Sequence, residues 1–459
     1  MSELISLNPA TGEVLAQVPM HGASDIESRL AAARQAQRAW ARVHLTERAA
    51  CLRNVARQLR AERSDLARTI TLEMGKPLAE ALAEVEKCAL NFDYYADAAP
   101  AMLADEVIPS SAADSRLVRE PLGLILAVMP WNYPLWQVMR AVAPIIATGN
   151  GLILKHASSV PQCALAVEAV CRRAGLPEGL VTTLLVGATQ VSSLIADDRI
   201  AGVTFTGSTP AGRSIASAAG RALKKQVLEL GGSDPFIVLA DADVEAAAAA
   251  AVKARFQNTG QSCIAAKRFI VEDCVADQFA AAFCARVDKL VVGDPLAEST
   301  TQGSMAAAWL RDELDAQVRA SLREGATLLL GGQKLEGPGA FYQPTVFDFV
   351  EPTMTIARDE TFGPVAAILR VPDAAAALRI ANDTPFGLGA ALWTNDLDRA
   401  RRLAREVEAG AVFVNGVVAS DPRLPFGGIK ASGYGRELGR LGLHEFTNPK
   451  TVWTGPSHN

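Results

Sequence analysis

The sequence predicts an α/β protein with two α/β domains in succession, and three observations predict it. The chain has 459 residues, where single domains usually run to about 100–200. From about residue 116 onward, short uninterrupted apolar runs alternate with helical segments, the pattern of a parallel sheet covered on both faces. The same alternation resumes after residue 231.

The first hundred residues read as helices. Ser24 with Glu27 has the spacing of a capping box ahead of Ile26, Leu30, Ala33 and Trp40, which share a helical face. Thr46 and Ser64 start two more helical stretches, the second stopping at Gly75 with Pro77 just beyond. Leu78, Leu82, Val85, Ala89 and Phe92 make another stripe at helical spacing. Apolar runs at 124–128, 152–154, 181–186, 203–205 and 227–230 then read as strands, with a helix over 162–174 between them. A second set lies at 236–239, 269–271, 365–371, 388–393 and 411–414. The alanines at 246–251 read as a tightly packed helix. No short repeat, heptad or low-complexity linker stands out.

Composition excludes several functions. Apolar residues make up 49% and charged residues 21%, which is ordinary for a protein with a large core. The net charge of −5 offers no basic surface for a nucleic-acid backbone or an anionic membrane. The N-terminus carries Glu3 where a signal peptide needs a basic residue, and no apolar run is long enough to span a bilayer. Cytoplasm is the expected compartment, with no membrane or nucleic-acid partner. The seven cysteines are scattered without a C-x-x-C pair, so neither a disulfide framework nor a zinc site is expected, and no metal is assigned.

Cys263 stands apart from the other cysteines. A lone cysteine is most often a small core hydrophobe, and Cys51, Cys88, Cys163, Cys171, Cys274 and Cys284 fit that. Cys263 follows Asn258, Thr259, Gly260, Gln261 and Ser262. These are polar, and Gly260 permits an unusual backbone angle. Glu229 closes an apolar strand before Gly231 and Gly232; a carboxylate there is either a solvated strand terminus or a group where ligands bind an open α/β sheet. Asn132 lies between Pro130 and Pro134, in a turn frozen by prolines. It is suited to cap its own backbone or to donate to an oxyanion. The G-x-G-x-x-G fingerprint is missing; Thr206, Gly207, Ser208 and Thr209 make a strand end, glycine turn and helix start instead, which suits a pyrophosphate.

Taken together, the motifs identify a family by resemblance. Pro-Trp-Asn-Tyr-Pro at 130–134, Leu154-Lys155, Phe205-Thr206-Gly207-Ser208, Glu229-Leu230-Gly231-Gly232, Gly260-Gln261-Ser262-Cys263, Glu360-Thr361-Phe362-Gly363-Pro364 and Pro425-Phe426-Gly427-Gly428 occur in the order found in aldehyde dehydrogenases. The resemblance covers essentially the whole chain. It implies a Rossmann-type cofactor-binding domain over 1–102 and 122–230, and a catalytic α/β domain over 231–430. It adds a small β element over 103–121 and 446–459 that joins subunits into a homodimer or homotetramer. Carried over by position, Cys263 is the nucleophile, Glu229 the general base and Asn132 the oxyanion donor. Lys155 would bind the adenosine ribose, Gly207 and Ser208 the pyrophosphate, and Glu360 the nicotinamide ribose. Phe362 would lie against the nicotinamide, and Trp131 and Leu230 complete the cofactor set.

Within the family the chain resembles the short bacterial NAD(P)-dependent succinate-semialdehyde dehydrogenases. Trp136-Gln137-Val138-Met139-Arg140, His156 after Lys155, Ser233-Asp234-Pro235-Phe236, and Leu443-His444-Glu445-Phe446 carry that likeness. Arg140 would grip a substrate carboxylate, with Gln257 and Ser420 on the substrate side. Many relatives have arginine where this chain has Gln257, although Arg255 is nearby; most have proline where it has His156. The implied chemistry is thiolate attack on an aldehyde, expulsion of hydride to NAD or NADP, and hydrolysis of the Cys263 thioester by water that Glu229 activates. NAD-specific relatives often carry glutamate three residues beyond the lysine. Ser158 stands there, so both NADP and NAD are expected to serve. A dehydrogenase for glutarate semialdehyde or a neutral aliphatic aldehyde, a cofactor-independent cysteine esterase, and a non-enzymatic scaffold stay as alternatives. His21, His44, His444 and His458 read as surface or packing residues, and Trp136 and Met139 as substrate-funnel or core residues.

Overall fold

A computed structural model describes residues 3–455. His458 and the last four residues of the expected bridging stretch 446–459 lie outside the described residues.

The early apolar runs assemble into a sheet of six strands. In spatial order these are Gly433–Tyr434, Lys225–Glu229, Ile200–Thr206, Leu124–Met129, Gly151–His156 and Val181–Thr183. All neighbours are parallel except Gly433–Tyr434, which runs antiparallel to Lys225–Glu229. Leu124–Met129 is buried along its whole length, as a central strand covered on both faces must be. The chain leaves this strand toward Gly151–His156 and Val181–Thr183, then returns to its other side as Ile200–Thr206. The strand order therefore reverses between Leu124–Met129 and Ile200–Thr206, and ligands of open α/β sheets bind beyond the carboxyl ends at such a point.

The second half forms a seven-stranded sheet in the order Thr327–Leu330, Thr345–Asp348, Val365–Val371, Ala266–Glu272, Asp234–Val238, Gly389–Trp393 and Ala411–Val414. Only the Thr327–Leu330 pairing is antiparallel. The alanine run lies in the helix Val244–Phe256, whose N-cap Asp243 accepts from the Ala246 N–H at 3.0 Å. Such a cap contributes about 1 kcal/mol. Ala247, Ala248 and Ala251 are fully buried, because their small side chains allow close approach. A separate three-stranded antiparallel sheet joins Thr447–Thr454, Asp114–Pro121 and Glu106–Val107.

The N-terminal region departs from the all-helical expectation. Glu3–Leu7 and Val14–Pro19 pair as an antiparallel hairpin before the first helix. That helix spans Ala23–Trp40, and its cap is Gly22 with Asp25, not Ser24 with Glu27: the Asp25 carboxylate accepts the Gly22 N–H at 2.9 Å. The next helices are Leu45–Ala61, Arg63–Met74 and Leu78–Met102. Gly75, at φ +88°, stops the third of the four as expected.

Candidate active site

The turn at 130–134 follows Leu124–Met129 and is held from beneath by His156. The His156 Nδ1 accepts from the Ala157 N–H at 2.8 Å, so Nε2 carries the proton and donates to the Pro134 carbonyl at 2.8 Å. Burial pushes this imidazole down to about 4. It is thus a neutral strut under the turn. Within the turn, the Asn132 amide nitrogen donates to the Gln261 carbonyl at 3.0 Å. An amide nitrogen has two N–H groups, so one is left for a ligand.

Cys263 is displayed by a strained loop. Asn258, Thr259 and Gly260 all take positive φ, at 58°, 55° and 69°. Asparagine and glycine tolerate this region; threonine does so at a cost of about 1–3 kcal/mol. A Cβ at Gly260 would sit 2.3 Å from the Gly363 carbonyl oxygen, so only glycine fits. The Asn258 side chain donates to the Asn132 and Gln261 carbonyls, each at 2.9 Å. Lys267 is buried under the loop and donates to the Cys263 carbonyl at 2.9 Å and the Ser262 carbonyl at 3.1 Å. Burial lowers this ammonium's pKa below the lysine value, opposed by Glu360, 3.7 Å away. Among the described residues, the backbone N–H of Cys263 makes no hydrogen bond. Burial pushes the Cys263 thiol up to about 12, against the pull of Arg140 and Lys267.

Two cavities, of about 520 and 460 Å³, meet at Cys263, which lies on the wall of both. Gln137 is also shared. The smaller cavity sits at the sheet's switch point. The structure brings Trp131, Asn132, Gly207, Ser208, Glu360 and Phe362 to it, with Leu230 beside them. Trp131 and Phe362 meet edge to face, their ring centroids 5.7 Å apart. Ser208 is the N-cap of the helix Thr209–Arg221, and its side chain makes no capping bond. The Glu360 carboxylate accepts the Gly232 N–H at 3.0 Å. Trp309 and Glu313 also line this cavity; they sit on a helix, Ala308–Arg323, whose sequence carries no ligand signal. Lys155 and Ser158 are not on this wall. Lys155 is buried at the end of its strand, with its pKa lowered by burial, and Ser158 is exposed just beyond.

The larger cavity holds Arg140, Gln257 and Ser420. Arg140 is buried, ion-paired to Glu437, and its guanidinium lies 4.9 Å from the Phe426 ring centre. Trp136 lines this cavity, whereas Met139 is core. Arg255 does not supply the second arginine. It is fully buried, donating to the Thr361 carbonyl at 2.9 Å and also to the Gly363 carbonyl, and so fixes the segment carrying Glu360 and Phe362.

Glu229 ends its strand buried beside these cavities, with no hydrogen-bond partner for either carboxylate oxygen among the described residues. It does not line the walls of the two cavities. Burial drives its pKa well above the carboxylate range; Glu437 pushes the same way, while Arg140 and Arg436 pull it down. Glu437 and Lys87 were invisible to sequence reasoning. Lys87 lines the larger cavity from the helix Leu78–Met102, with its pKa pushed down to about 8 by burial and by repulsion from Arg140.

The same arrangement of chain recurs in known proteins. The profile of the aldehyde dehydrogenase family matches residues 2–452. The chain is 52% identical over 451 residues to succinate semialdehyde dehydrogenase, NAD(P)+, of Escherichia coli strain K12, covering 98% of this chain and 97% of that one. It is 49% identical over 450 residues to a probable NADP+ succinate-semialdehyde dehydrogenase of Synechocystis, covering 98% and 99%. Among solved structures, succinic semialdehyde dehydrogenase from Streptococcus pyogenes in complex with NADP+ superposes with a TM-score of 0.96 at 38% identity, over 99% of this chain and 100% of that one. Matched almost end to end by the profile and by these relatives, the chain belongs to the aldehyde dehydrogenase family.

Proposed function

We propose that this chain oxidises succinate semialdehyde to succinate, with NADP or NAD as acceptor, through a thioester on Cys263. The observation that carries the proposal is the place of Cys263 on the common wall of two cavities. One has aromatic plates, a free helix N-cap and a carboxylate; the other has cations. The names of the E. coli, Synechocystis and S. pyogenes relatives support the substrate and cofactor.

The smaller cavity fits a nicotinamide dinucleotide. Ser208 at the uncapped helix start suits a phosphate, Glu360 a ribose, and Trp131 with Phe362 a flat ring. The buried Thr206 hydroxyl in the same wall has no partner among the described residues. When bound, the nicotinamide supplies a hydride acceptor. The chain's own work is then as follows. The Cys263 thiol loses its proton to solvent, and the resulting thiolate sulfur bonds to the aldehyde carbon. Asn132, with its second N–H, and the free backbone N–H of Cys263 stabilise the oxygen as it becomes negative. Glu229 takes a proton from the water that cleaves the thioester. The uncommitted oxygens of Glu229 leave it available for that transfer. A homo-oligomer built through the three-stranded sheet belongs to the same proposal, supported by the exposed Val107, Val452 and Trp453. So does a cytoplasmic site, supported by seven free thiols.

A comparison of succinate semialdehyde with butanal tests the substrate. Wild type is expected to prefer the acidic aldehyde by at least about tenfold in kcat/KM, the scale of one charge-assisted contact. Arg140→Ala is expected to lower turnover of both aldehydes, because it leaves Glu437 and Glu229 buried without their common counter-charge, and to lower the acidic one more. Equal rates for the two aldehydes with wild type would remove the acidic-substrate assignment.

Cofactor choice has its own test. Ser158→Glu places a negative charge where a 2′-phosphate would lie and is expected to depress kcat/KM for NADP about tenfold or more relative to NAD. An unchanged NADP/NAD ratio would show that residue 158 does not face the adenosine ribose.

A further inference from the structure

We infer that Lys87, acting with Ser420, is the specificity-determining seat for the substrate's carboxylate. The inference rests on the acidic-aldehyde reading above and adds a residue to it.

The charges of the larger cavity can be sorted by what already occupies them. Arg140 is paired with Glu437. Glu84 is paired with Lys76 at 2.5 Å and accepts the Leu135 and Trp136 N–H groups, each at 2.9 Å. Glu80 accepts the Asn258 N–H at 2.8 Å. Lys253, near the end of its helix, is exposed to solvent. Lys87 is different. Its ammonium is half-buried in the cavity wall, 4.3 Å from the Trp136 ring centre, and donates to the Ser420 hydroxyl at 2.6 Å. It makes no ion pair with any described carboxylate. The nearby acid Asp421 is already held by Arg423 at 2.6 Å.

Donor counting gives the seat its shape. An ammonium has three N–H groups; one goes to Ser420 and the rest are free for an anion. Because the Ser420 oxygen accepts from Lys87, its own proton must point elsewhere, and no described acceptor takes it. The ammonium and the hydroxyl therefore offer two adjacent donors, which matches the two oxygens of a carboxylate. Partial removal from water strengthens such a contact over an exposed one. The cation of this seat thus comes from the helix Leu78–Met102, while Gln257 on the same wall carries no charge.

The test uses the enzyme with NADP and measures kcat and KM for succinate semialdehyde and for butanal in wild type, Lys87→Met, Lys87→Arg and Ser420→Ala. The preference for the acidic aldehyde is expected to fall about 10–100-fold in Lys87→Met, mostly through KM, and to survive within a few-fold in Lys87→Arg. Ser420→Ala keeps the ammonium and is expected to lose a smaller part. It also covers the case in which Lys87→Met does not fold. If wild type prefers the acid and neither Lys87→Met nor Ser420→Ala reduces that preference beyond twofold, the seat is elsewhere and the substrate reading stands. If wild type shows no preference, the substrate reading fails and the seat with it.

Discussion

Cys263→Ala is expected to abolish aldehyde oxidation, by about 10⁴-fold or more, since it removes the sulfur proposed to carry the acyl intermediate. The structure adds a less obvious expectation about the wild-type thiol. With burial raising its pKa, very little of it is thiolate at pH 7. Iodoacetamide should therefore modify Cys263 slowly at neutral pH. The rate should climb about tenfold per pH unit through the alkaline range, because the pKa is raised and the anion appears late. Cys274, which is exposed, should react first. Peptide mass spectrometry over a pH series reads both. Preferential labelling of Cys263 at pH 7 would mean that the empty site already favours the anion, and that the surrounding cations outweigh desolvation.

Much of this arrangement was legible in the sequence because the ligand loops of an α/β sheet follow their strands directly. Asn132, Gly207 and Glu229 each lie within four residues of an apolar run that reads as a strand. A parallel sheet gathers such ends at one edge. The Cys263 loop was legible for another reason: glycine and polar residues mark a backbone that cannot be regular. What stayed hidden depends on contacts made across the chain. Lys87 and Ser420 are 333 positions apart, and Lys87 sits beside the buried Cys88 in a helix where a lysine reads as solvent-facing. Arg255 lies only two positions from Gln257 in sequence, yet the fold turns it inward to bind backbone carbonyls. The Glu3–Leu7 hairpin was hidden because its strands are short and its hydropathy does not follow its burial: Ser6 is buried while Ile5 and Leu7 are exposed.

Glu229→Gln is expected to separate the two halves of the reaction. The amide keeps the size of the buried side chain and removes the carboxylate proposed to take the water's proton. Formation of reduced cofactor in the first turnover should survive at close to one equivalent per site. Steady-state turnover should fall about 10²–10⁴-fold, the usual contribution of a general base. The pH profile carries a second signature. Burial and Glu437 both raise the Glu229 pKa, so its basic form appears only as pH rises above the ordinary carboxylate range. The acid limb of wild-type kcat should therefore lie on the alkaline side of that range, and the variant should lose this limb. Rapid-quench measurement of the acyl-enzyme across pH distinguishes the outcomes. If burst and turnover fall together in Glu229→Gln, the carboxylate acts before the thioester, in drawing the proton from Cys263. That result would be physically reasonable for a thiol held so far from ionisation, and it would move Glu229 from the hydrolytic step to the first one.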